Sequence, residues 1–164
     1  TNGVHIADLF CFYDGSDRIF PDESVVDSVL HPSKRGAGLY DLSGCLSGHS
    51  ESGSRLKMTL SSNHSGSMLF SVASQDYHAS INDETKCFYE SSSANDWEWN
   101  RIPYDENIFV SYITRKFVSD ILKTGKCELP TLEECYPAHK FVLGELLGHF
   151  NKLLGTDGDR CPVT

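Results

Sequence analysis

The spacing of apolar residues changes character several times along the chain. Ile19-Phe20-Pro21 leads into Asp22-Glu23-Ser24-Val25-Val26-Asp27-Ser28-Val29-Leu30, and Pro32 closes the run. Val25, Val26, Val29 and Leu30 fall on one helical stripe. Pro21, Asp22 and Glu23 suit a helix start, where unpaired N–H groups and the dipole favour carboxylates. The pattern predicts a helix over residues 22–31, with Val25, Val29 and Leu30 buried. Residues 33–54 are rich in Gly and Ser and read as irregular.

Alternation then takes over. Leu56, Met58 and Leu60 occupy every second position, as do Met68, Phe70 and Val72, with a polar loop at 61–67 between them. A β-hairpin is expected there. Further strands are predicted at 87–90, 97–102 and 108–113, where aromatic and β-branched residues concentrate. In the tail, Phe141, Val142, Leu146, Phe150 and Leu153 return to helical spacing, although Gly144 and Gly148 are poor helix formers. An α+β domain follows: a helix packed on an antiparallel sheet, with an extra hairpin and C-terminal insertions. The chain is 164 residues long, no linker or repeat interrupts it, and 1–164 reads as a single domain.

Composition narrows the class. Hydrophobic residues make up 39% and mean hydropathy is -0.32, which argues against disorder. Apolar runs such as Phe141-Val142-Leu143 are too short to span a bilayer, so no membrane partner is expected. A net charge of -9 repels a phosphate backbone, so any RNA chemistry needs a local cationic pocket. No H-E-x-x-H, G-x-S-x-G, Walker or dinucleotide-binding pattern occurs, and no metal or cofactor is expected.

Cysteines stand at 11, 45, 87, 127, 135 and 161, with no C-x-x-C pair. Even number and wide spread favour a disulfide framework in an oxidising compartment, hence a secreted chain. Fifteen pairings are open. The start at Thr1, without a Met or leader, matches a processed secreted protein, and Asn63 heads an N-x-S sequon that could carry a glycan.

The middle of the chain resembles the guanyl-specific ribonucleases of fungi. Tyr77-His78 precedes Asn82-Asp83-Glu84, then come Cys87-Phe88-Tyr89, a serine-rich loop, Trp97-Glu98-Trp99 and Arg115-Lys116-Phe117-Val118; Gly148-His149 lies shortly before Cys161. The resemblance implies one helix on a curved antiparallel sheet and a bridge between Cys11 and Cys161, leaving the pairing of Cys45, Cys87, Cys127 and Cys135 open. It also implies Glu98 as the base that takes the 2′-OH proton and His149 as the acid on the leaving oxygen. Arg115 and His78 would stabilise the phosphorane, and Tyr77, Asn82, Glu84, Trp97 and Trp99 would bind the base. Such an enzyme would be a metal-independent guanyl-preferring endoribonuclease.

The family's glycine-rich approach to the Arg is absent; Phe109-Val110-Ser111-Tyr112-Ile113-Thr114 stands there, and large insertions flank the region. The chain is therefore more similar to the ribonuclease-like secreted effectors of powdery-mildew and related fungi. That resemblance implies a monomeric virulence effector with little or no RNA cleavage, able to enter host cells. It would act on host RNA or host protein and be open to recognition by a plant immune receptor. A secreted ligand-binding β-barrel is the alternative from another class.

Each candidate also has a plainer reading. Glu98 and Arg115 can be solvated surface charges, His78 a loop histidine and His149 a helix-face histidine. Trp97 and Trp99, two apart, share a strand face that is core or a stacking platform, with core expected. His49 and His64 sit in Ser/Gly-rich loops without an assigned role.

Overall fold

A computed structural model describes residues 3–62, 69–82, 85–104 and 110–163, the side chains of 110–113 excepted. In chain order the elements are α1 (Gly3–Asp14), β1 (Phe20–Pro21), β2 (Val25–Val26), β3 (His31–Pro32), β4 (Tyr40–Asp41), β5 (Gly44–His49) and β6 (Arg55–Leu60). These are followed by β7 (Leu69–Ala73), β8 (Tyr77–Asn82), β9 (Cys87–Ser92), β10 (Asn100–Pro103), α2 (Val110–Thr124) and α3 (Leu132–Leu154). The chain divides into two compact units, residues 1–64 with 130–164, and residues 65–129. The protein is α+β: the described residues form three α-helices and open antiparallel sheets, and neither main sheet among them closes into a barrel.

The first unit centres on β5, which pairs with β6 on one side and with β1 and β2 on the other. Alternation along β5 and β6 turns Leu46, Gly48, Leu56 and Met58 inward. Gly48 is required there: a Cβ would lie 2.7 Å from Ile19 Cγ2 and 2.8 Å from the Phe20 carbonyl oxygen. The long α3 supplies the opposing stripe, with Ala138, Phe141, Val142, Leu146 and Phe150 buried at helical spacing. Its start is fixed by a capping box in which Thr131 Oγ1 accepts from the Glu134 N–H and the Glu134 carboxylate accepts from the Thr131 N–H. That bond holds the Glu134 carboxyl below its usual range. Gly155 ends the helix in the left-handed conformation, at φ 64°.

The expected helix over 22–31 is not formed. Val25 and Val26 lie extended as β2 against Cys45 and Gly44, Val25 is 62% exposed and Val29 57%, while Val26 and Leu30 pack on the core. Valines hold a stiff χ1 that favours strands, and the edge of β5 offers them paired backbone groups. The helix that packs here is instead α1. It starts with no acidic residue in its first turn, and Ala7 and Cys11 are buried along it. Tertiary packing of this stripe supports α1, and Gly15, left-handed at φ 69°, closes it by donating its N–H to the Cys11 carbonyl at 2.9 Å.

Three further corrections concern an irregular stretch, strand partners and period. Residues 33–54, read as irregular, contain β4 and the central β5. The strands around 56–60 and 68–73 exist but are not a hairpin: β6 pairs with β5 and β7 with β8. Alternation identifies a strand without naming its neighbour. The stretch 108–113, read as a strand, enters α2 from Val110, while 105–109 lie outside the described residues. Over the longer window Val110, Ile113, Phe117 and Ile121 recur at helical spacing, and that period prevails.

The second unit is a four-stranded meander in the order β10-β9-β8-β7. Residues directly opposite in an antiparallel pair share a face. Phe70, Val72, Ile81, Phe88 and Ile102 therefore form one apolar face, and His78, Ser80, Tyr89 and Arg101 stand on the other. In α2, Lys116 bridges Asp120 at 3.2 Å and Glu128 at 3.7 Å.

All six cysteines are thiols, so the expected Cys11–Cys161 bridge is not formed. Both border the core of the first unit. Burial pushes the Cys161 thiol up to about 11 and also raises Cys11. Thiolate, the species that oxidation requires, is scarce at such positions. Among the described residues no helix is long and apolar enough to cross a membrane.

Candidate functional site: an aromatic sheet face

The polar face of the meander gathers the aromatic candidates. The His78 ring lies 4.9 Å from Trp97 and 6.5 Å from Trp99, centroid to centroid. Both tryptophans are solvated, Trp97 at 41% and Trp99 at 58% exposure, which corrects the expectation that they are core. Neither is on a strand: Ser93–Asn95 forms a short 3-10 turn after β9, and β10 begins only at Asn100.

Asn95 staples this turn. Its Oδ1 accepts from the Ser92 N–H at 2.9 Å, and its Nδ2 donates to the Glu98 carbonyl at 2.9 Å. The Trp97 N–H donates to the Ser92 carbonyl at 2.9 Å. Asp96 and Trp97 are both left-handed, with φ of 55° and 62°. For a residue as bulky as tryptophan that conformation costs about 1–3 kcal/mol, and such strain gathers where a side chain must be presented.

The next row on the same face is Arg101–Tyr89–Ser80–Ser71. Ser71 Oγ donates to Ser80 Oγ at 3.1 Å. Hydrogen bonding to the Tyr89 oxygen, with the Cys87 sulfur close by, raises Arg101 above its usual range. A permanent cation thus stands beside the half-buried Tyr89 ring, one row from His78, in a chain of net charge -9. Flat rings stack bases, and a guanidinium pairs with phosphate.

The other candidates are distributed as follows. Tyr77 begins β8, and its hydroxyl donates to Glu90 Oε2 at 3.1 Å, on the apolar side of the sheet. Asn82 ends β8 and caps a turn, its Oδ1 accepting from the Thr85 N–H at 3.2 Å. Glu98 is exposed between the tryptophans, and Arg115 is exposed on α2. His149 belongs to the first unit, on α3, where its Nε2–H donates to the Asp27 carbonyl at 2.9 Å. Glu84 and Asn63 lie outside the described residues.

Sequence reasoning missed Arg101, Tyr89 and the Asn95 staple. The period-2 series Trp97, Trp99, Arg101 was the available signal for the first of these. No protein-family model matches this chain, and comparison with curated proteins and with solved structures gives no match, so the ribonuclease resemblance rests on the chain's own residues.

Proposed function

We propose that this chain is a non-catalytic binding protein of the secreted ribonuclease-like kind, and that its aromatic face takes single-stranded RNA. The observation that carries this reading is the His78–Trp97–Trp99 cluster, its two indoles exposed, with Arg101 and Tyr89 on the next row of the face that bears His78. Unstacked bases lie on such rings without demanding a sequence, each contributing about 1–3 kcal/mol. The acidic surface suits a short strand held by stacking rather than a duplex held by many phosphates. Two features favour binding over cleavage. The imidazole of the expected acid, His149, is committed to a main-chain carbonyl, and the imidazole of His78 lies against two indoles.

The chain has two tryptophans, both in this turn, so intrinsic fluorescence reports on the site alone. Titration with a short guanosine-containing RNA should quench it saturably and leave the RNA intact. Trp99→Ala should weaken binding about tenfold or more. Absence of quenching at millimolar RNA would refute the binding reading. Cleavage by the wild type that disappears in Glu98→Ala would establish the enzyme instead.

A further inference from the structure

The first unit carries a second cluster that the aromatic face does not use. With Leu46, Gly48, Leu56 and Met58 turned inward, the register Phe20↔His49↔Arg55 forms one outward row, and Lys57 stands on the next, opposite Ser47. Arg18 reaches over this face, its guanidinium carbon 4.4 Å from the Phe20 ring centroid. Phe20 in turn stacks on His49 at 5.5 Å with an interplanar angle of 21°. The His49 Nδ1–H donates to Asp22 Oδ1 at 2.7 Å, which fixes the imidazole in the plane of the row. His49, read from sequence as a loop histidine, is thus the last residue of the central strand.

We propose that this outward sheet face is a phosphate-binding site. Arg18, Arg55 and Lys57 are exposed, and the outward strand positions around Arg55 and Lys57 carry no carboxylate, whereas Arg18 borders a hollow that Asp14, Asp17 and Glu51 also line. The flanking Asp22 is already engaged with His49. Two guanidiniums offer paired N–H donors that match phosphate oxygens, and Lys57, two residues along the strand from Arg55, adds a mobile positive charge. Phe20 holds Arg18 by a cation–π contact, which limits the ordering that binding requires. The phosphate can be free or part of a nucleotide; the chemistry recognised is the same.

The test titrates the full chain, at constant ionic strength, with inorganic phosphate, adenosine monophosphate and adenosine, following the His49 imidazole and Arg55 Nε–H by NMR. Both phosphate-bearing ligands should shift these signals saturably, and adenosine should not. Arg55→Ala with Lys57→Ala should weaken both about tenfold or more, and Arg18→Gln should do so alone to a lesser degree. Unchanged core signals of Leu46 and Met58 verify the fold. A response to adenosine, no saturable shift, or full affinity in these variants would overturn the proposal. It stands or falls separately from RNA binding by the aromatic face, since that is read by tryptophan fluorescence.

Discussion

The two units solve opposite problems. Every member of the hydrophobic core lies in the first, where two helices and a sheet exclude water from Ala7, Leu46, Val142, Leu146 and Phe150. Among the described residues of the second, only Cys87 and Ser91 are buried, and its tryptophans face solvent. Apolar burial at about 25 cal/mol per Å² accounts for the order of the first. The meander relies on its hydrogen-bonded ladder and on the Asn95 staple. Apolar burial is thus concentrated in one unit, while the other leaves its indole rings in solvent.

The largest effect that tests this division is Phe150→Ala. Phe150 has no exposed surface, and its loss should cost about 3–5 kcal/mol in urea unfolding followed by circular dichroism. A cost below about 1 kcal/mol would show that the first unit is not where stability resides.

A second effect is read from pH. Burial raises the Cys161 thiol from 9.0 to about 11. A group whose pKa is raised on folding contributes fully below its unfolded value and loses that contribution as pH rises through the folded one. Stability should therefore fall as pH rises from 9 towards 11, by less than the full shift implies because the thiol is only half buried. Urea midpoints across that window should fall less in Cys161→Ala than in the wild type. Parallel curves would mean that Cys161 is solvated.

The smallest effect concerns the other unit. Trp99→Ala should change stability by no more than about 0.5 kcal/mol, because the side chain packs little. A loss comparable to that of Phe150→Ala would make Trp99 core and erase the contrast between the units.

Much of the local order was legible in the residues themselves. Alternation located β6 and β7, aromatic content located β9, and the stripe from Phe141 to Leu153 located α3. The clustering of Tyr77, His78 and the two tryptophans marked the region of the aromatic face. Partner choice was not legible, because period 2 is the same whether a strand joins its neighbour in sequence or, like β6, an earlier one. Exposure was not legible either: Trp97 and Trp99 read as core until a left-handed turn held by Asn95 swung them out of the strand.

What the sequence alone determined about this protein is its α+β class, its acidic surface and the spacing of its apolar residues, since these follow from composition and nearest neighbours along the chain. What the tertiary structure decided is which segment became a helix near the N-terminus, which faces were covered, and that Arg18, His49, Arg55 and Lys57 stand together. Those outcomes depend on contacts between residues distant in sequence, such as Ala7 with the α3 stripe or β2 with β5. Their free energies outweigh the propensities of about 1 kcal/mol or less that local pattern expresses.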